Sequence, residues 1–435
     1  MKGVFAMNKK TKLTRVFIIS TVLIFFCLGL SITPLAASDD DSNEFFRFFR
    51  VFLSYLSTFN FENYEWTEIN PSAPWAPRAG LESVELKGLF YVMGGRTPLP
   101  PPAPPFASII QRDVWVSEDR GVNWKSLGEA PWPRRAFFES VTKGPYMYIM
   151  GGQSFDLECP FQGCTPEQKI PVSKFYNDVY RSRDGINWEL MTDNAAWAPR
   201  SGLSAVVHRG WIYVFGGAQG DDEAIGGTGR EFFTDVHKSR DGRNWIKVTD
   251  IVPWDGRGGA AAVVKNGWIY LLGGENGFLL PPFGDVWRSR YGANWELVKQ
   301  EAWLPRSGHK CGVLTNTIVC FGGFNLAGNP MDVQISSDGY DWMALDPVGS
   351  AAPPWLASSP DSIKYDFDII VTRSQNPKYR GIHTFGGDRE TFDFQDGPPQ
   401  GAPQGALTEG VPDLRVDNDV WRFAPPSDWK KRKKN

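Results

Sequence analysis

The sequence predicts an all-β fold, a ring of six four-stranded blades closed into a β-propeller. Three observations carry that reading. Six Gly-Gly doublets end short apolar strands, at Gly94-Gly95, Gly151-Gly152, Gly216-Gly217, Gly273-Gly274, Gly322-Gly323 and Gly386-Gly387. Their steps of 57, 65, 57, 49 and 64 residues match the period of a propeller blade. An Asp-Val pair follows each doublet, and a Trp stands ten residues past the Asp in Asp178–Trp188, Asp235–Trp245, Asp285–Trp295 and Asp332–Trp342. Asp113–Trp124 has one extra residue.

The unit from Ser201 to Thr249 shows the strands in order. Ser201–His208 and Trp211–Phe215 read as strands one and two, joined at Arg209-Gly210. Asp235–Ser239 and Trp245–Val248 read as strands three and four, joined at Asp241-Gly242. Glycine supplies the positive φ that such tight hairpins need. The unit's Trp is expected to pack between blades, because one sheet cannot bury both of its faces.

Ring closure is expected from the ends of the pattern. Glu65-Trp66-Thr67-Glu68-Ile69 reads as a fourth strand with no first three, and Asp419–Phe423 as a third strand lacking a fourth. The N-terminal strand should therefore complete the last blade and remove the open edge. Trp429 competes for that place. The fourth strands carry an apolar residue three after the Trp (Ile69, Leu127, Met191, Val248, Val298, Leu345), where Trp429 has Arg432, so Trp66 is favoured.

The doublet after an apolar strand, with Trp115, Tyr180 or Trp287 and the later Trp, resembles the kelch repeat over residues 64–424. That resemblance implies a six-bladed kelch β-propeller. Ser117–Trp124 is also similar to the Asp-box of sialidase-type propellers, and Ser182–Trp188 is one residue short of it. Both are read as structural hairpins.

The remaining chain divides into 1–38, 39–63 and 425–435. Lys9, Lys10, Lys12 and Arg15 precede the apolar run from Val16 to Ile32, then Ala36, Ala37 and Ser38. This describes a signal peptide or signal anchor and predicts a secreted or extracytoplasmic protein, with N-terminal membrane attachment as the uncleaved case. In the acidic and aromatic linker, Phe45–Leu53 docks on the propeller or lies on a membrane. The tail Lys430-Lys431-Arg432-Lys433-Lys434 is basic. A net charge of −3 argues against a nucleic-acid surface.

Of five Cys, Cys27 lies in the signal. Cys311 and Cys320 straddle the turn Thr315-Asn316 symmetrically and should face each other across a hairpin. Cys159 and Cys164 flank a short loop. An exported chain favours two disulfides; the alternative is two buried thiols and an unoxidised loop pair. No cofactor or metal is expected: no Cys/His cluster has zinc spacing, and Asp221-Asp222-Glu223 lacks the spacing of a calcium loop.

Function is expected on the face that carries the second-to-third and fourth-to-first loops. The latter repeat Trp-x-x-Arg, giving Arg78, Arg135, Arg200, Arg257 and Arg306; the sixth loop keeps Trp355 but has Ser358 at the Arg place. Two readings stand. The guanidinium groups ring the channel mouth and bind carboxylates, sulfates or phosphates, or they cap carbonyls and pair with nearby aspartates. The second-to-third loops hold 17, 25, 17, 10, 8 and 31 residues, and such unequal loops on a rigid ring carry specificity. Pro98–Pro105 stiffens the first, and Asp388, Glu390, Asp393 and Asp396 make the last acidic.

His208, His237, His309 and His383 belong to different blades and none adjoins a Tyr, unlike the copper oxidases of kelch-like fold. The likeness admits a sialic-acid mutarotase, with Arg200, Arg257 or Arg306 holding a carboxylate and Glu223, Glu231 or Glu275 moving a proton, and less readily a sialidase. The leading expectation is a non-catalytic module binding a protein or glycan at the loop face, with no catalytic residue assigned.

Overall fold

The computed structural model describes residues 61, 64–99, 108–159, 162–165, 170–221, 229–277, 280–325, 330, 332–345, 364–374, 379–389 and 416–425. The signal or anchor, the linker up to residue 60, the basic tail, Trp355, Ser358, Glu223, Glu390, Asp393 and Asp396 lie outside them.

The fold is a six-bladed propeller of antiparallel four-stranded sheets. Blade 1 is Glu82–Leu86, Leu89–Met93, Asp113–Ser117 and Lys125–Glu129. Blade 2 is Glu139–Lys143, Tyr146–Met150, Val179–Ser182 and Trp188–Thr192. Blade 3 is Ser201–His208, Trp211–Gln219, Val236–Ser239 and Trp245–Thr249. Blade 4 is Ala261–Lys265, Trp268–Leu272, Val286–Ser289 and Trp295–Lys299. Blade 5 is Lys310–Leu314, Thr317–Phe321, Val333–Ser336 and Met343–Leu345. Blade 6 takes Asp368–Thr372, Gly381–Asp388 and Val416–Ala424 and is completed by the N-terminal Glu65–Asn70, with Trp66 opposite Phe423. The closing strand is thus the one that carries Trp66. Each blade's first strand touches the first strands of both neighbours, so these six strands line the central channel.

Aromatic pairs join the blades. The Trp of each Trp-x-x-Arg element meets the fourth-strand Trp edge-to-face in Trp75–Trp124, Trp132–Trp188, Trp197–Trp245, Trp254–Trp295 and Trp303–Trp342, with centroids 4.2–6.3 Å apart. The Asp-box-like turns lie on the opposite face. In one of them Asp184 accepts the backbone N–H of Ile186 and Asn187 while Trp188 Nε1 donates to Gly185 O. An added Cβ on Gly185 would lie 2.9–3.1 Å from Leu127 and Tyr91 of blade 1, so the turn plugs into its neighbour.

Cys311 and Cys320 stand directly opposite in the strand register, with Cα atoms 4.2 Å apart, and form a disulfide. Cys159 and Cys164 form a second, with Cα atoms 5.6 Å apart.

Candidate functional site

The loop face is organised by the five arginines, and the structure assigns their side chains to the fold. Arg78, Arg135, Arg200, Arg257 and Arg306 are 0–1% exposed. Arg78, Arg135, Arg200 and Arg257 each grip an aspartate of their own blade through both terminal nitrogens, at 2.5–3.1 Å: Asp113, Asp178, Asp235 and Asp285. Arg306 reaches Asp332 through one nitrogen. Nε donates to the carbonyl two residues back, and Nη1 also donates to the first glycine of the doublet, as Arg78 does to Ala76 O and Gly94 O. Four of the five N–H donors of Arg78 are thereby used inside the blade. The expectation of a ligand-facing ring gives way to its alternative, because buried ionised groups are held where their charges and donors are matched.

The doublets serve the same joint. The second glycine of each donates its N–H to the clamp residue's carbonyl in the next blade, as Gly152 does to Arg200 O and Gly217 to Arg257 O, both at 2.8 Å. On Gly151, at φ +69°, an added Cβ would approach Arg200 O to 3.0 Å. The sixth clamp is Lys364, not the Ser358 position read from the sequence. Gly323 donates to Lys364 O as the other doublets do to their arginines, and the buried Lys364 ammonium meets Asp417 at 3.0 Å and Asp419 at 2.5 Å.

Sequence reasoning missed the lids on these clamps. Tyr176, Phe233 and Phe283, each two residues before the clamp aspartate, lie 3.9–4.7 Å from the guanidinium carbons of Arg135, Arg200 and Arg257. The aspartates have second donors: the indoles of Trp115, Trp287 and Trp421, the amide of Gln334, and His237 Nε2 at 3.0 Å from Asp235. Burial pushes the Asp235 carboxyl up, but hydrogen bonds from His237 and Arg200 reverse it and hold it well below the usual range.

Two residues past each clamp, six residues close a hydrogen-bonded circle around the axis. The backbone N–H of Phe137 donates to Gly80 O, Gly202 to Phe137 O, Gly259 to Gly202 O, Gly308 to Gly259 O, Asp366 to Gly308 O and Gly80 to Asp366 O, at 2.7–3.0 Å. All six have φ between +49° and +62°, the left-handed region, which explains four glycines; Phe137 and Asp366 adopt it despite their side chains.

Below this circle a cavity of about 70 Å³ is lined by Glu82, Glu139 and Lys310, room for a few waters. Asp368 accepts the N–H and hydroxyl of Ser83 at 2.6 and 2.7 Å, and Glu82 accepts those of Ser140 at 2.9 and 2.7 Å. Lys310 Nζ lies 3.0 Å from Asp368 and 3.5 Å from Glu82. Burial, with the Asp368 charge added and Lys310 opposing, pushes Glu139 up to about 8. Burial and Asp368 also hold Glu82 well above its ordinary value. Burial would lower Lys310, but the three carboxylates keep it well above the usual range.

Above the circle the loops build an uneven rim. Arg96–Pro98 pairs with Ser108–Ile110 on blade 1, and Gln153–Glu158 with Ile170–Phe175 on blade 2, and the two hairpins touch. Glu231–Phe232 lies along the extended second strand of blade 3. Polar links join neighbours: Ser173 with Asp221, Ser201 with Gln153, Arg230 with Glu275 at 2.8 Å, and Arg96 with Asp388. Ile109, Ile251, Leu280 and Leu304 expose 48%, 82%, 58% and 43% of their surface on this side. The expectation that the four histidines belong to different blades fails for His208 and His237, which share blade 3, while His309 and His383 lie in blades 5 and 6; burial leads the lowering of His309 and brings His383 down to about 3.

Six four-stranded blades, a doublet bonded across every blade boundary and a basic clamp on every entry loop define a kelch-repeat β-propeller. Among known proteins the chain is similar to Kelch domain-containing protein 3 of Rattus norvegicus and of Mus musculus, each 28% identical over 191 residues. The Homo sapiens protein of that name is 27% identical over the same length. These matches cover 41% of this chain and 45% of each relative, so the chain spans less than half the length of the curated relatives it matches. No family model matches the chain.

Proposed function

We propose that this propeller is an exported, non-catalytic module that binds a protein ligand on the loop-face rim. The observation that carries the reading is the preformed wall of blades 1 to 3, linked hairpin to hairpin, on the same face as the exposed aliphatics Ile109, Ile251, Leu280 and Leu304. A rigid, partly apolar rim suits a protein surface. Kelch-type propellers typically serve as protein-binding modules, which supports the same reading. Export is supported by the basic, apolar and small-residue order of residues 9–38 and by two disulfides. The mutarotase alternative asks for a free arginine and a glutamate; Arg200, Arg257 and Arg306 grip aspartates, and Glu275 is held by Arg230 and Ser307.

The test is an array of extracellular proteins and, in parallel, of glycans, probed with wild type, Ile109→Asp and Leu280→Asp. A protein ligand lost with either rim substitution supports the proposal. Binding to glycans alone, or to a protein that both variants bind as well as wild type does, overturns it. Fusion of residues 1–60 to a reporter active only outside the cytoplasm tests export.

A further inference from the structure

On the face opposite the loops, the ends of the first strands of blades 4 and 5, with Arg373 and Arg380 of blade 6, line an open cavity of about 520 Å³. That volume falls within the range of small-ligand sites. Lys265, Arg373 and Arg380 line it, with Asn266, Thr315 and Asn316 as neutral donors and Val264, Val313 and Leu314 as apolar wall. Tyr64 is hydrogen-bonded to Thr315 and feels the charge of Arg380 at the same place.

Lys265 is the decisive residue. It is only 3% exposed. Its counterparts in blades 2 and 3 are satisfied: Lys143 Nζ donates to Arg240 O at 2.7 Å, and His208 Nε2 lies 3.0 Å from Arg290 O. Lys265 makes no hydrogen bond or ion pair with any described residue, and neither does the exposed Arg373. Arg380 Nε donates to Ser374 O at 3.1 Å. Asp338 is the carboxylate whose charge reaches Lys265, and its Oδ1 is taken up by the backbone N–H groups of Tyr340 and Asp341. Burial accordingly lowers the Lys265 pKa, against the pull of Asp338. A largely buried lysine whose ammonium meets only the cavity and makes no hydrogen bond is unfavourable, and an anion in the cavity would pair with it, with Arg373 and Arg380 alongside.

We propose that this cavity binds an oxyanion, a sulfate, phosphate or carboxylate group carried by a small ligand, with Lys265 as the central contact, Arg373 and Arg380 at the sides and Asn266 and Asn316 as neutral donors. The site is on the face away from the loop rim, so it stands or falls independently of the binding proposed there. Charge-assisted hydrogen bonds are among the strong ones, and removing this contact should weaken binding about tenfold or more.

Calorimetric titration of the full chain at fixed ionic strength, with chloride replaced by sulfate or by inorganic phosphate, tests the site; a sulfated disaccharide and acetate extend the series. Saturable binding of at least one of these is expected. Lys265→Met should abolish or weaken it at least tenfold, and Arg373→Gln, at an exposed position that leaves folding intact, about threefold or more. Lys265→Met should also raise the unfolding temperature of the ligand-free protein, because a hydrophobic isostere replaces an unpaired buried charge. Heats that do not saturate for any probe, or equal affinity in wild type and Arg373→Gln, overturn the proposal. If the free anions fail and the disaccharide binds in a manner sensitive to both substitutions, the site stands with a saccharide as carrier.

Discussion

The entry-loop clamps and the channel cluster both bury ionised groups, only four residues apart along the chain, and they reach opposite outcomes. Four of the six clamps match one arginine to one aspartate with two hydrogen bonds, and Asp235 is held well below the usual carboxylate range. The channel sets one cation, Lys310, against Glu82, Glu139 and Asp368, and Glu139 is pushed up to about 8. The difference is one of stoichiometry rather than of burial. A repeat that recurs in every blade can supply a partner for every charge, whereas the channel residues differ from blade to blade: Glu82, Glu139, Ser204, Ala261, Lys310 and Asp368 occupy equivalent places. The clamps are therefore architecture, and the cluster is where the protein's stability responds to rising pH.

Breaking a matched pair should have the largest effect. Arg257→Ala leaves Asp285 buried without its cation and should cost about 3–5 kcal/mol in urea unfolding. Arg306→Ala removes a single bond to Asp332 and should cost less. Equal losses at the two sites would show that the number of bonds to the aspartate does not set the clamp's strength. Removing the cation from the unmatched region sharpens the contrast. Lys310→Met should cost about 3 kcal/mol at pH 8 and clearly less at pH 5, where the carboxylates can take up protons in its place. A pH-independent loss would mean that the lysine acts by packing.

The hydrogen-bonded circle between the two regions should respond more mildly. Gly202→Ala keeps the backbone at φ +58° and places Cβ 3.3 Å from Gly259 N, for an expected cost of about 1–2 kcal/mol. Gly308→Ala should cost more, because its Cβ would come within 2.6 Å of Asp366 Oδ1. Thermal midpoints of both variants decide the order.

Most of the architecture was legible because it repeats. The doublets, the ten-residue Asp-to-Trp step and the unpaired strand at Trp66 lead to six blades and to the closure that pairs Trp66 with Phe423. The facing of Cys311 and Cys320 followed from symmetry about one turn. The role of the arginines was not fixed by sequence, since a charge does not declare whether its partner is a ligand or an aspartate 26 to 43 residues away. Lys364 was missed because the last entry loop is longer, so counting from its Trp lands on Ser358. The circle was hidden by Phe137 and Asp366, which break the glycine pattern but not the conformation. The channel cluster unites residues up to 286 positions apart, Glu82 to Asp368, and only the closed ring brings them together. Nothing in the sequence marks Lys265, the last residue of a first strand, because its burial arises only in the folded ring.

The pH dependence tests the unmatched region most directly. The folded-state pKa of Glu139, about 8, lies above its ordinary value of 4.5, so the folded protein holds a proton that the unfolded chain releases across that interval. Its stabilising contribution is complete below about pH 4.5 and is lost as pH rises towards 8. The Asp-box-like turns behave in the opposite sense. Burial raises Asp184 and Asp241, but the combined hydrogen bonds, led by those from Asn187 and Asn244, bring both down to about 2, so their contribution is present above an ordinary pKa of 3.8 and fades as pH falls. Glu139→Gln should therefore leave stability almost unchanged at pH 5 and raise it at pH 8, flattening the alkaline side of the profile while the acid side keeps its slope. Glu82, raised by burial and by Asp368, should preserve part of the alkaline slope. Unfolding midpoints at pH 3, 5 and 8 measure this, and a variant that loses stability equally at pH 5 and pH 8 would place the proton elsewhere than on Glu139.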